Sequence, residues 1–531
     1  MSAQSITGVR PKPVVLLILD GWGVAQPSRG NAITLAQTPV WHKLITTYPI
    51  FTLQAAGEAV GLPWGEIGNS EVGHITLGVG KILYQALPRI TRTIIDQSFF
   101  SNEVFRQACS LVNERSSNLH IIGLVSSGGV HSSIDHLYAL LELAKMASVE
   151  RLFVHAILDG RDTSFNSGQK FISELEAKLQ PGGLGKIATV MGRFYAMDRD
   201  NHWDRIQAAY DCMVEGKGKQ AAAALQAISG SYTAKVWDEE VVPTVIVDQA
   251  GQPQGKVGDN DVVIFFNFRS DRARQLTHAF VLPGFSKFPR RQLEQLHFVT
   301  MTEYEKELPV KVAFPPEAVN YPLARVVAEA GLKQLHLAET EKYAHVTYFF
   351  NGGHERAYEG EDHALIPSPV VPSYDQKPEM STRLITSRLL QEIHIGKYDV
   401  YIVNFANADM VGHTGNLPAT IKAVEVIDEC LGEIVATILE HGGALLITSD
   451  HGNAEGLVNM QTGSIDKEHS NTPVPFVIIG KQFEYKSSSG APATDDLSQF
   501  TPAGLLSDVA PTVLKILGLP KPSEMSGQSL I

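Results

Sequence analysis

A design recurs along this chain that restricts its fold more than any bulk property does. A short apolar run, long enough for one buried strand, ends abruptly in an acid, a histidine or an arginine. Leu445-Leu446-Ile447 leads through Thr448-Ser449 into Asp450-His451, and Gly452-Asn453 then turns the chain. Residues 14–19 deliver Asp20 in the same way, and Gly21 and Gly23 let the backbone pass close to a bound group. Residues 399–403 lead to Asn404, then Asp409 and His413, four apart, which one helical turn or a tight loop can aim at a single point. Strands buried on both faces read as continuous apolar runs. In open α/β sheets, ligands bind beyond the carboxyl ends of the strands. Taken singly, Asp450 also suits a helix cap, His451 a surface position and Asp20 a turn.

Between about Tyr84 and Pro315 the design carries different endings. Strands are expected at 120–125, 151–158, 187–191 and 261–266, with a helix over 135–147. They run into Ser126 to His131, Asp159-Gly160-Arg161-Asp162, Gly192-Arg193 with Arg199, and Asn267 to Arg272. The alternation predicts a second, largely parallel α/β domain. Arg161, Arg193, Arg199, Arg269 and Arg272 all follow strand ends, and arginine forks match phosphate and carboxylate bidentately. Surface ion pairs with Asp162, Asp198 and Asp271 are the competing explanation. Five arginines gathered this way in an acidic protein favour an anion pocket.

At 531 residues the chain exceeds one ordinary core. A net charge of −13 argues against nucleic acid or an anionic membrane as partner. Cys109, Cys212 and Cys430 are far apart and form no disulfide framework. The apolar run at 14–19 is too short for a signal segment, and no stretch of about 18 apolar residues suggests a membrane span. A cytoplasmic monomer acting on a small molecule is expected. A surface loop is expected over 485–498, a strand over 346–350 and a short helix over 508–517.

The candidate ligands Asp20, Asp409, His413, Asp450, His451 and His469 are three carboxylates and three imidazoles. That set suits two adjacent divalent ions of the Mn²⁺, Zn²⁺ or Fe²⁺ type, which can serve an in-line phosphoryl displacement. Ser70, in Gly68-Asn69-Ser70-Glu71-Val72-Gly73-His74, is either a helix cap or a nucleophile set against free N–H groups. The glycines around it favour the nucleophile.

These segments resemble a known family in order. GNSEVGH at 68–74, DGRDT at 159–163, GRFYAMDRD at 192–200, NFRSDRARQ at 267–275, TEKYAHVTYFFNGG at 340–353, NADMVGHTG at 407–415 and SDHGNAE at 449–455 are similar to the cofactor-independent phosphoglycerate mutases of the alkaline phosphatase superfamily. The resemblance implies two three-layer α/β domains. A phosphatase-like domain, 1–84 and 318–531, is split by an inserted transferase domain, 85–317. It implies interconversion of 3-phosphoglycerate and 2-phosphoglycerate through a phosphoserine at Ser70, without 2,3-bisphosphoglycerate. Asp20, Ser70, Asp450 and His451 would hold one Mn²⁺, and Asp409, His413 and His469 a second, with Mg²⁺ or Co²⁺ as alternatives. His131, Arg161, Asp162, Arg193, Arg199, Arg269 and Arg272 would bind the phosphoglycerate. Lys342 would reach the phosphoryl group, Asp162 would serve as acid and base, and opening and closing of the domains would exclude water.

Overall fold

The computed structural model describes residues 10–180, 183–485 and 496–531. Of the loop expected over 485–498, positions 486–495 lie outside the described residues. The chain divides into two compact units, Met1–Gln85 with Ala318–Ile531, and Ala86–Glu317.

Strands β1 (Val14–Leu19) and β2 (Ile50–Gln54) open the first unit. The second unit contains β3 (Leu119–Leu124), β4 (Leu152–Leu158), β5 (Lys186–Gly192), β6 (Lys219–Ala221), β7 (Thr244–Ile246), β8 (Val262–Phe265), β9 (His297–Thr302) and β10 (Lys311–Phe314). The first unit resumes with β11 (Gln334–Glu339), β12 (Glu361–Ile366), β13 (Val400–Phe405), β14 (Ala444–Thr448), β15 (Val474–Ile479) and β16 (Gly504–Leu505).

In the first unit the sheet order is β12-β11-β13-β1-β14-β15-β2-β16, and only β15 runs against its neighbours. Every residue of β1 is fully buried, which explains its unbroken apolar sequence. Because β11, β13, β1 and β14 are adjacent and parallel, their carboxyl ends share one edge. Lys342, Asn404, Asp20 and Asp450 all follow or end those strands, so the topology itself collects them.

The helix Ser70–Val79 starts beside this edge. Asn69 caps it by accepting a hydrogen bond from the Val72 N–H at 3.1 Å, and Gly80 ends it in a left-handed conformation. The cap role is therefore Asn69's, and the Ser70 hydroxyl is left for other partners. Gly73 is required for packing: a Cβ there would stand 2.6 Å from the Asp450 carbonyl oxygen.

The second unit's sheet has the order β10-β9-β8-β3-β4-β5-β7-β6. It is parallel from β10 to β5, and β7 then pairs antiparallel with β5. Alternate strand residues enter two separate cores. Ile121, Val154, Val190 and Ile264 pack with Leu137 and Ile172 on one face; Ile122, Ile157, Met191 and Phe265 pack with Ile206 and Leu276 on the other. That alternation is what helices on both faces of a sheet require. His131, Arg161, Arg193 and Arg269 follow β3, β4, β5 and β8, four contiguous strands.

One expected strand is not one. Residues 346–350 lie in a π-helix, His345–Phe349, and its continuation. Lys342, Val346 and Phe350 are buried while Tyr348 is exposed, a spacing of four that turns one helical face inward. The β-branched and aromatic composition favours a strand locally, but packing against the helix Ser70–Val79 and β11 overrides it. The helix expected at 508–517 is found as Val509–Leu517, after a short 3₁₀ turn at Leu506–Asp508.

Candidate active site

Ser70 Oγ lies at the centre of the first unit's polar cluster, 3.2 Å from Asp20 Oδ1, 3.0 Å from His451 Nε2 and 2.7 Å from Lys342 Nζ. The Lys342 ammonium also donates to Asp20 Oδ1 and Asp409 Oδ2, each at 2.7 Å. All of these side chains are buried. Burial pulls the Lys342 pKa down, but Asp20, Asp409 and Asp450 outweigh it and raise it above the ordinary lysine value. Asp409 and Asp450 are held well below the usual carboxylate range: burial opposes this, while Lys342 and the histidines around them prevail.

Asp409 Oδ1 is 3.3 Å from His413 Nε2 and 3.2 Å from His469 Nε2, and those two nitrogens stand 2.9 Å apart. His413 Nδ1 faces the Lys467 carbonyl at 2.8 Å, and His469 Nδ1 faces the Gly68 carbonyl at 2.9 Å. A ring nitrogen facing a carbonyl must carry its hydrogen. In the neutral rings both Nε2 lone pairs therefore point into the same space as a carboxylate oxygen, an arrangement relieved by a proton or a cation. The His469 ring stacks on His451 with centroids 3.8 Å apart, which links this half of the cluster to Ser70.

The donor set fits divalent metal. Asp20, Asp450 and His451 offer ligand atoms all within 4.8 Å of one another, as do Asp409, His451 and His469. Asp450 Oδ2 is buried without a hydrogen-bond partner. Three buried carboxylates face a single ammonium, so protons on His451 and His413, or bound cations in their place, would balance the remaining charge. A third group, His336, Glu361 and His363, is committed to the protein instead. His336 Nδ1 donates to the Val346 carbonyl at 2.6 Å, and Glu361 accepts from His363, Asn351 and the Tyr358 N–H.

In the second unit the arginines and their competing carboxylates are both engaged. Buried Arg193 donates from Nη1 to Asp159 Oδ1 at 2.6 Å and Asp162 Oδ2 at 2.5 Å. Asp271 accepts from Arg199 at 2.7 Å and Arg269 at 3.1 Å, and lies 3.7 Å from His131 Nδ1. Arg272 donates to the Met197 carbonyl, and Arg161 lies exposed, 3.6 Å from Glu239. Burial first, then Arg199, Arg193 and Arg161, pull the Arg272 pKa below its ordinary value. Burial, Arg193 and Arg269 bring His131 down to about 4 and keep it neutral. A crowd of guanidinium groups beside a neutral imidazole has the chemistry to receive an anion.

Sequence reasoning gave no role to Asp159, which holds Arg193, or to His74, Asn404 and Asn453 around the buried carboxylates, and it took Asp271 only as a competing ion-pair partner. Asn453 donates to Asp409 Oδ1 at 2.8 Å. Their signal was position: each lies inside, or within a few residues of, a segment already marked by its chemistry.

Comparison with known proteins gives a consistent result. A family described as BPG-independent PGAM N-terminus matches residues 90–306, and one described as Type I phosphodiesterase / nucleotide pyrophosphatase matches 292–469. The 2,3-bisphosphoglycerate-independent phosphoglycerate mutase of Chloroflexus aggregans is 49% identical, over 98% of this chain and 99% of its own length. That of Clostridium beijerinckii is 50% identical over the same shares. A Leishmania mexicana phosphoglycerate mutase, solved at low cobalt concentration, superposes with a TM-score of 0.53 at 31% identity, covering 99% of this chain and 98% of that one. Among the described residues, no helix is long and apolar enough to cross a membrane.

Proposed function

Because this chain belongs to the 2,3-bisphosphoglycerate-independent phosphoglycerate mutases, which interconvert 3-phosphoglycerate and 2-phosphoglycerate, we propose that Ser70 carries the phosphoryl group between the two hydroxyls of one glycerate. The observation that supports this most is the set of contacts at Ser70 Oγ, a buried hydroxyl within 3.2 Å of a lysine ammonium, a histidine nitrogen and an aspartate oxygen. A serine needed only for structure has no use for such neighbours.

Ser70, as its alkoxide, attacks phosphorus as the bond to the first glycerate oxygen breaks, and it departs as the alkoxide when the second glycerate oxygen takes the phosphoryl group back. Asp162 gives a proton to that departing oxygen, then takes one from the second hydroxyl as it attacks the phosphoserine. Lys342, cationic in this environment, neutralises charge on Oγ and on the phosphoryl oxygens and does not act as the base. Arg161, Arg193, Arg199, Arg269 and Arg272, with neutral His131, hold the carboxylate and phosphate so that the glycerate turns without leaving. Asp20, Ser70, Asp450 and His451 would hold one Mn²⁺ and Asp409, His413 and His469 a second. When bound, these ions lower the pKa of the serine and draw charge from the phosphoryl group.

The test is a coupled enolase assay on metal-stripped protein with 3-phosphoglycerate, with and without Mn²⁺, and with no 2,3-bisphosphoglycerate. Mn²⁺-dependent 2-phosphoglycerate that Ser70→Ala abolishes is expected. Release of free phosphate without isomerisation would contradict the roles given to the second unit.

A further inference from the structure

His74 and Asn404 belong to neither proposed ligand set, yet together they connect the two carboxylates of one. Asn404 Nδ2 lies 2.8 Å from Asp20 Oδ2 and 3.1 Å from His74 Nε2. The reversed amide would set its oxygen against the Asp20 carboxylate, so the nitrogen faces both groups and donates to both. His74 Nε2 must then accept, which leaves the ring's hydrogen on Nδ1. That nitrogen donates to the Ser70 carbonyl at 2.9 Å and also stands 3.1 Å from Asp450 Oδ2, a charge contact to an oxygen that makes no hydrogen bond of its own. His74 and Asn404 are both fully buried.

We infer that His74 and Asn404 are positioning residues: Asn404 holds the outer oxygen of Asp20, Oδ2, and His74 stands against Asp450 Oδ2, the oxygen turned toward His451, while the Gly21 and His451 N–H groups hold Asp450 Oδ1, so that each carboxylate presents one oxygen to the metal. The inference rests on the metal reading above. The chain Asp20–Asn404–His74–Asp450 spans from the end of β1 to the end of β14 through one residue of β13 and one of the helix Ser70–Val79. It sets the separation of two carboxylates that repel each other when no cation lies between them. One imidazole tautomer and one amide orientation satisfy it, and both follow from the neighbours named. The His74 contact to the Ser70 carbonyl joins the nucleophile's own backbone to the same network.

The experiment is Mn²⁺ titration of metal-stripped protein, followed by the spin-resonance signal of free Mn²⁺, with thermal melts of the stripped protein alongside. His74→Leu is expected to weaken Mn²⁺ binding at one of two sites by ~10–100-fold, as loss of an outer-shell partner does. His74→Asn, which restores an amide N–H near the place of Nδ1, recovers much of the loss. Asn404→Leu reads the network from its other end and serves if His74→Leu does not fold. Wild-type protein that fails to take up two Mn²⁺ contradicts the metal reading itself. Wild type that takes up two, with folded His74→Leu or Asn404→Leu binding equally well and differing only in melting temperature, overturns the positioning role alone.

Discussion

Lys342 Nζ lies 2.7 Å from Ser70 Oγ and at the same distance from oxygens of both Asp20 and Asp409. An ammonium so surrounded keeps its proton, so it can stabilise a serine oxyanion and cannot generate one. Lys342→Met is therefore expected to lower kcat by ~100–1000-fold, the range for losing one donor to a developing oxyanion, with little change in KM. The same substitution leaves two buried carboxylates without their counter-ion. It should destabilise the metal-free protein by ~3–5 kcal/mol, and the Mn²⁺-loaded protein by less. Urea unfolding with and without Mn²⁺ measures both; equal losses in the two states would contradict the charge balance described.

The paired nitrogens of His413 and His469 make a separate prediction. Each is held by a carbonyl that fixes its tautomer, so removing either ring removes a ligand and leaves its neighbour correctly aimed. His413→Ala and His469→Ala should each reduce bound Mn²⁺ from two ions to one and lower kcat by more than the ~10–100-fold of an outer-shell change. Metal analysis of the purified variants decides this.

Proton and metal compete for these rings. Burial acts to lower the His451 pKa, yet Asp450, Asp20 and Asp409 raise it to about 9 from an ordinary 6.5. The hydrogen bond to Asp409 raises that of His413 as well. In the metal-free protein the stabilisation from His451 is complete below pH 6.5 and is lost as the pH rises through about 9. Metal binding gains where the proton is lost. The gap between the melting temperatures with and without Mn²⁺ should therefore widen from pH 6.5 to 9. A constant gap would show that no histidine proton is displaced.

In the second unit, Asp162 and Arg272 should separate chemistry from binding. Asp162→Asn is expected to lower kcat by ~10²–10⁴-fold, the range for a general acid or base, with KM little changed. Arg272→Ala removes a guanidinium that donates to the Met197 carbonyl. It should raise KM by about 10–100-fold, equivalent to one charged hydrogen bond. Initial rates in the coupled assay over a range of 3-phosphoglycerate concentrations distinguish the two effects.

The α/β class and the buried strands β1, β3, β4, β5, β8, β13 and β14 were legible because strands covered on both faces must be apolar throughout. Asp20, Asp450 and His451 were legible because they follow such strands closely, and Asp409 and His413 because they lie in the segment after β13; His469, ahead of β15, was marked by its residue type alone. The segment at 346–350 was misread because its composition favours a strand, and only the inward spacing of Lys342, Val346 and Phe350 reveals a helix. Asp271 was legible as a partner of one arginine. That it accepts from both Arg199 and Arg269 depends on the side-by-side placement of β5, β4, β3 and β8, which no local pattern encodes. His74 and Asn404 were hidden for a similar reason, since a network is a property of several strands at once.

The most direct test of the central claim is acid quenching of Mn²⁺-loaded protein during turnover of 3-phosphoglycerate, followed by peptide mass spectrometry. A phosphorylated serine at position 70, forming before 2-phosphoglycerate and without equivalent free phosphate, is the predicted result. Isomerisation with Ser70 unmodified throughout, or undiminished in Ser70→Ala, would contradict it.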